Sequence, residues 1–291
     1  MSIVTLNELD VFYLSYDEPN CDVNWDRIQT LHKSAKRIHG VLGFDKAHRV
    51  CALASTTRRF VVIDGDNWLN DNWVTDNPVI DDTGLEDACF SYKGKNTING
   101  LEYGNGGVKV WDRETFLSSA THERSDSTDF CWDIRYYQIN DRLSTSVQNC
   151  TPYQAWRSGY REGVKMTQIK GKPCANFAEN WKTLFSYNLS RLHVWCSVGR
   201  DVQHGIWAIL GARQAVLALM QQTIEHTVIN DYKWFDDQWK ITLGVKPEMV
   251  AADIKRTLSE DFDFYIPELN KIQSEWFKQV YINPPRTGLM I

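Results

Sequence analysis

The sequence predicts an α/β fold: a mixed sheet that opens with parallel strands, followed by a helical C-terminal elaboration. Three observations carry this. Apolar runs and helix-spaced stretches follow one another over residues 9 to 64 as strand, helix, strand, helix, strand, the order expected of βαβ units. The third run, Phe60-Val61-Val62-Ile63, is apolar at every position, as in a strand covered on both faces. From Asn176 onward the chain reads as mainly helical.

The first strand is LDVFYLSY, residues 9–16, closed by the loop Asp17-Glu18-Pro19-Asn20. Trp25, Ile28 and Leu31 stand at helical spacing and predict a helix over 22–35. Lys36 to Val41 reads as a short second strand closed by Gly40 and Gly43. Residues 45–55 have helical composition, with Asp45 as the expected N-cap. Residues 70–100 are rich in Asp, Asn and Gly and predict a loop holding one strand, 88–92. Gly104, Gly106 and Gly107 precede the alternating strand Val108-Lys109-Val110-Trp111. Glycines there permit either a close backbone approach to a ligand or a plain hairpin turn.

A helix is expected over 152–168, with Ala155, Trp156, Tyr160 and Val164 on one face. Arg157, Arg161 and Lys165 then recur at i, i+4 and i+8 on another. Further helices are expected over 177–185, 206–220, 247–258 and 267–280. No repeat and no low-complexity linker separates residues 1–150 from 151–291, so the two parts are expected to form one continuous domain.

Composition narrows the class. Hydrophobic residues at 43% and charged residues at 24% are those of an ordinary soluble globular protein. Seven scattered cysteines with no C-x-x-C pair argue against zinc and against a disulfide framework. The apolar stretch 206–220 is broken by Gly211, Arg213 and Gln214, so no membrane span is expected. Met1 to Asp10 lacks the character of a signal peptide, and a monomer in the cytoplasm is expected. The net charge of −5 disfavours a general nucleic-acid binder, yet residues 151–200 carry eight cations against two carboxylates. That segment, with Lys170 and Lys172 beside the helix cations, can meet a polyanion or form a solvated face.

The chemistry concentrates at Asp64-Gly65-Asp66, where the apolar third strand ends. A buried carboxylate is costly unless it is paired, hydrogen-bonded or bound to metal. Residues at i and i+2 of an extended chain point the same way, so the two carboxylates can converge on a divalent cation that also holds phosphates. An Asp-Gly turn is the plainer alternative. Parallel sheets bind ligands beyond the carboxyl ends of their strands, which places Ser15-Tyr16-Asp17 and the D-G-D on one edge. No G-x-G-x-x-G and no Walker motif follows the first strand.

This βαβ start, the strand ending in D-x-D and the glycine-containing strand some forty residues on resemble a nucleotide-sugar glycosyltransferase of the GT-A fold, over roughly residues 8–135. A narrower similarity, carried by DVFYLSYDEPNCDVNW, AKRIHGV, VVIDGD, SGYREGVKM and GIWAILGAR, is to the glycosyltransferases of tailed phages with hydroxymethylated DNA. The resemblance implies a Rossmann-type GT-A core, a uridine diphosphate sugar (arabinose or glucose) as donor, and 5-hydroxymethylcytosine in double-stranded DNA as acceptor. The modification would shield phage DNA from nucleases. It implies Asp66 as main ligand of Mn²⁺ or Mg²⁺, with Asp64 near the ribose or metal and His204 completing the shell, His193 competing. Leu14, Ser15, Tyr16 and Asp17 would hold the uridine, and Lys109 would stand at the donor. No clear E-D dipeptide stands where inverting GT-A enzymes place their base; Asp133 is the substitute and Asp129 the next choice. If neither serves, the reaction would be retaining. Arg157, Arg161, Lys165, Lys170 and Lys172 would track the DNA backbone. The alternatives are transfer to a protein or surface glycan, and a phage binding protein without activity.

Overall fold

Strand alternation puts Val11, Tyr13, Val61 and Ile63 on one side of a sheet and Phe12, Phe60 and Val62 on the other. Both sides are buried, which is why the third apolar run has no polar alternation. The structure, a computed structural model, describes residues 3–104, 107–284 and 288–289; Gly106 of the predicted glycine loop lies outside them. The fold is mixed α/β. The chain divides into two compact units, one of Met1–Asn96, Glu102–Val147 and Asn283–Ile291, the other of Thr97–Leu101 and Gln148–Ile282.

The first unit is built on a nine-stranded sheet. Its strands are β1 (Asp10–Ser15), β2 (Lys36–His39), β3 (Arg59–Asp64), β4 (Asn67–Leu69), β5 (Cys89–Asn96), β6 (Glu102–Tyr103), β7 (Val108–Asp112) and β8 (Tyr136–Ser146). A short strand, Gly288–Leu289, completes it. The main order is Gly288–Leu289, β8, β5, β7, β3, β1, β2. β1 runs parallel to both β2 and β3, whereas β7 is antiparallel to both β3 and β5. Helix α1 (Cys21–Leu31) contributes Ile28 to the cluster on one face. Helices α2 (Phe44–Ala54) and α3 (Arg113–Ser118) contribute Cys51, Ala52 and Phe116 to the other.

The βαβαβ opening follows the sequence expectation, with α1 ending at Leu31. Asp45 is not the N-cap of α2. Gly43 holds that position, and Asp45 lies in the first turn with its carboxylate taken by Arg49 (2.6 Å) and Arg124 (3.2 Å). The Glu123 carboxylate caps instead, accepting from the backbone N–H groups of Asp45 (3.1 Å) and Lys46 (3.0 Å). The expected loop over 70–100 is more ordered than its composition suggests. Val79–Asp81 pairs with Ile3–Thr5, and β5 extends to Asn96. Buried Arg59 organises the stretch before β5: it pairs with Asp82 at 2.9 Å and donates to the carbonyls of Leu85, Glu86 and Ala88.

The second unit is mainly helical: α4 (Pro152–Met166), α5 (Ser186–Trp195), α6 (Gly205–Met220), α7 (Tyr232–Thr242), α8 (Pro247–Phe262) and α9 (Lys271–Val280). A hairpin joins β9 (Gln168–Ile169) to β10 (Lys172–Pro173). The helix over 267–280 starts only at Lys271, where Asn270 and Gln273 form a capping box. Glycines let α4 and α6 meet backbone to backbone. A Cβ on Gly159 would fall 2.0 Å from the Ala208 carbonyl oxygen, and one on Gly211 would fall 2.1 Å from that of Trp156. SGYREG and ILGAR thus serve a helix crossing. Among the described residues no helix is long and apolar enough to cross a membrane.

Candidate functional site

In the first unit the chain leaves β1 for β2 on one side and then returns to β3 on the other. The carboxyl ends of β1 and β3 therefore form the topological switch point, the crevice where open α/β sheets take ligands. Leu14 stands in register with Asp64, and Ser15 with His39. The Asp64-Gly65-Asp66 turn is pinned from below. The Gly65 carbonyl oxygen accepts from the Tyr13 hydroxyl at 2.7 Å and from the Asn24 amide at 2.9 Å, both buried. Such buried, satisfied groups fix one backbone geometry.

The turn also meets Glu18, from the loop that follows β1. The Glu18 carboxylate packs against Gly65, where a Cβ would fall 2.6 Å from its carboxyl carbon, and it accepts from the Tyr16 backbone N–H at 2.8 Å. Burial pushes the Glu18 carboxyl up to about 6, and the charges of Asp66 and Asp17 act in the same direction. The side chain of Asp66 accepts from the Asn67 amide at 2.7 Å. Hence Glu18 and Asp66, rather than Asp64 and Asp66, are the carboxylates whose mutual repulsion an added cation would relieve. Only the glycine at 65 hints at Glu18 in the sequence, since any side chain there would displace it.

Asp64 is compensated. Its Oδ2 lies 2.7 Å from the Nζ of Lys109, a residue of β7 that is almost wholly buried. Lys109 also faces the Phe130 ring at 5.7 Å. Beneath them His48 of α2 is fully buried, with Nδ1 2.9 Å from the Phe44 carbonyl oxygen and Nε2 without a hydrogen-bond partner among the described residues. Burial pushes the imidazole down to about 4, against the charge of Asp64. The same sheet carries further buried polar side chains: Ser91 and Lys93 on β5, Tyr136 and Gln138 on β8. The Lys93 ammonium donates to Asn140, and Tyr136 donates to Gln138 at 2.6 Å. Gly104 closes over this group, since a Cβ there would fall 2.0 Å from the Tyr136 hydroxyl oxygen. Here the glycine makes room for a side chain of the same sheet, not for a ligand.

Arg37 and His39 line the β1–β2 side. Arg37 Nε donates to Ser15 Oγ at 3.0 Å and its guanidinium pairs with Asp22 at 2.8 Å; His39 Nδ1 is 3.0 Å from Ser15 Oγ. Ser15 is thereby oriented by two cation-capable groups. Tyr16 and Asp17 are exposed beyond it. Asp133 follows the turn Phe130–Trp132. Its Oδ1 accepts from Ser125 Oγ (2.8 Å) and Ser127 Oγ (2.7 Å), while Oδ2 is buried with no partner among the described residues. Through Phe130, the Asp133 turn packs at Lys109 and Trp111.

Asp129 opens the same turn in the first unit, its carbonyl accepting from the Trp132 N–H at 3.2 Å; the other predicted residues belong to the second unit. His204 is the N-cap residue of α6, with φ 57° and its Nε2 3.2 Å from the Gln203 amide. His193 packs on Phe264, and burial lowers its pKa. Arg157 stacks between Tyr153 and Tyr232, each 5.2 Å away, and Arg161 faces Tyr232 at 5.9 Å. Lys165 is 3.9 Å from Glu162. These three cations are drawn into packing. Lys170 and Lys172 differ: they are exposed at the β9–β10 hairpin, where Lys170 and Gly171 take φ values of 51° and 73°.

Among the described residues no three His, Cys, Asp or Glu side chains are grouped to hold a metal. No protein-family model matches the chain, and no curated protein is significantly similar to it.

Proposed function

We propose that this protein is a glycosyltransferase that moves a pentose or hexose from a uridine diphosphate sugar to the hydroxyl of 5-hydroxymethylcytosine in DNA. The observation that supports it best is the position of Asp64-Gly65-Asp66 and Ser15 at the switch point of the first unit's sheet, with oxygen ligands and a compensated lysine at one edge. Leu14, Ser15, Tyr16 and Asp17 would bracket the nucleoside. Asp66 and Glu18 are the hard oxygen donors that would hold Mn²⁺ or Mg²⁺, with diphosphate oxygens and water completing the shell. When bound, such a cation supplies charge neutralisation for the departing diphosphate.

The chain's own residues account for orientation and proton transfer. Lys109 holds Asp64 in place at 2.7 Å, so that Asp64 can accept hydrogen bonds from ribose hydroxyls. Asp133, held at Oδ1 by two serines, would serve as the base through Oδ2, which is buried and would have to be uncovered for the acceptor to reach it. As the acceptor oxygen bonds to the anomeric carbon, the bond from that carbon to the diphosphate oxygen breaks and its electron pair leaves with the nucleotide. The hydroxymethyl proton passes to Asp133. The cytosine would have to leave the duplex stack to reach this edge.

The test is incubation of hydroxymethylated and plain duplexes with uridine diphosphate arabinose or glucose and Mn²⁺, followed by mass analysis of the nucleosides. A sugar gained only on 5-hydroxymethylcytosine is the expected result. Gain on plain cytosine, or none with any donor, would overturn the reading; transfer to a glycan acceptor instead would favour the glycan enzyme.

A further inference from the structure

The second unit carries an open depression of about 870 Å³, lined among others by Arg200, Lys255, Arg256, Glu268, Asn270 and Lys271. Its electrostatics are lopsided. One carboxylate, Glu268, takes three cations: Arg200 at Oε1, and Arg213 (3.1 Å) and Lys255 (3.5 Å) at Oε2. Arg213 is fully buried and locked, its other donors spent on the carbonyls of Cys196 and Ala251 at 2.8 Å each. Arg256 is matched by Asp253 at 2.8 Å. Lys271, which also lines the depression, is exposed and is the first residue of α9. A helix start carries positive partial charge, so a lysine there is unfavourable, and no acidic residue occupies that first turn. Four cations thus stand against one paired carboxylate, and the Arg200 and Lys255 side chains retain contact with solvent.

The geometry points to this depression as a site for a phosphate group, bound by Arg200, Lys255 and Lys271 beside the Glu268 carboxylate. A guanidinium fork and two ammonium groups suit tetrahedral oxyanions. The buried Arg213–Glu268 pair fixes the platform from which they extend. This site does not depend on the transferase reading. The phosphate could belong to a small phosphorylated molecule or to a nucleic-acid backbone, and the two are separable by experiment.

Inorganic pyrophosphate is titrated calorimetrically, and a plain duplex is titrated by fluorescence anisotropy, into the full chain and into K255Q/K271Q. At least a tenfold loss of affinity for one of the two probes is expected. Loss for pyrophosphate alone assigns the site to small phosphorylated ligands. Loss for the duplex, with a log-affinity against log-salt slope flatter by about 1 to 2, assigns it to the backbone. Lys271→Glu guards against misfolding: an acidic residue at the helix start should raise the melting temperature while weakening the same probe. Unchanged affinity for both probes in both variants, or binding of neither probe by the unaltered chain, would overturn the proposal.

Discussion

Lys109 reaches diagonally across the antiparallel β7–β3 pair, from opposite Val62, to place Nζ 2.7 Å from Asp64 Oδ2. The partners are unequally buried: the lysine side chain is 4% exposed and the carboxylate 25%. Removing Asp64 strands an ammonium in the sheet, whereas removing Lys109 leaves a carboxylate that water can reach. Asp64→Ala should therefore cost about 3–5 kcal/mol and Lys109→Met about 1–2 kcal/mol. The double variant should cost less than the sum. Denaturant unfolding of the four proteins measures this; equal single costs would show that the pair is hydrated alike on both sides.

Asp66 should behave oppositely. Asp66 is half-buried and accepts from the Asn67 amide at 2.7 Å. In Asp66→Ala the loss of that neutral-donor hydrogen bond, offset by relief of the repulsion with Glu18, should lower stability by about 1 kcal/mol. Sugar transfer, and stabilisation by uridine diphosphate with Mn²⁺, should both be lost. Melting curves with and without nucleotide and metal, beside the transfer assay, separate the two carboxylates. Near-normal turnover of Asp66→Ala at saturating Mn²⁺ would remove Asp66 from the metal site.

The contrast between these two aspartates marks how far the sequence could be read. The apolar run into D-G-D revealed the strand and its edge, because a strand buried on both faces leaves an unbroken pattern. It did not reveal that one carboxylate is consumed by Lys109, since that pairing crosses 45 residues of chain. Strand β8 was not foreseen at all: YYQINDRLSTS places exposed Asn140, Asp141 and Arg142 at its centre, where register shifts interrupt its pairing with β5. Helices α5 and α7 escaped for a different reason. In α5 the buried residues Leu192, Val194 and Trp195 crowd the last turn instead of recurring along a stripe, and in α7 much of the packing falls to one residue, Trp239, which touches Tyr153, Trp156 and Trp207. The Arg157, Arg161 and Lys165 spacing correctly described a helix face, yet Tyr232 from outside the helix packs on both arginines.

Titration should leave opposing marks on stability. Burial holds His48 and His226 at about 4, below the ordinary 6.5. Their contribution is full above pH 6.5 and is lost as pH falls through 4. Glu18 has the reverse sign: raised from 4.5 to about 6 by burial, it contributes fully below pH 4.5 and ceases to as pH rises through 6. Two histidines at roughly 3 kcal/mol each outweigh one carboxyl at roughly 2 kcal/mol, so unfolding free energy should fall overall from pH 6.5 to 4.5. Glu18→Gln should be more stable than the unaltered chain above pH 6 and lose stability more steeply in acid. Denaturant titrations at intervals between pH 4.5 and 7.5 decide it; parallel profiles would mean that Glu18 is hydrated at Gly65.

The basic segment divides in the same way, between cations used by the fold and cations offered to solvent. Arg157 and Arg161 stack on Tyr153 and Tyr232, so replacing them should chiefly cost packing, about 1 kcal/mol each. Lys170 and Lys172 stand exposed on a hairpin whose two-residue turn is already paired by β9 and β10. Their replacement by glutamine should leave the melting temperature unchanged. If these lysines meet a DNA backbone, each releases counterions on binding, and the slope of log affinity against log salt should flatten by about 0.9 per lysine. Duplex binding measured from 50 to 200 mM salt, for the unaltered chain and for K170Q/K172Q, reads that difference directly. A slope that stays the same, with affinity intact, would leave the hairpin as a solvated face and move the DNA contact elsewhere on the protein.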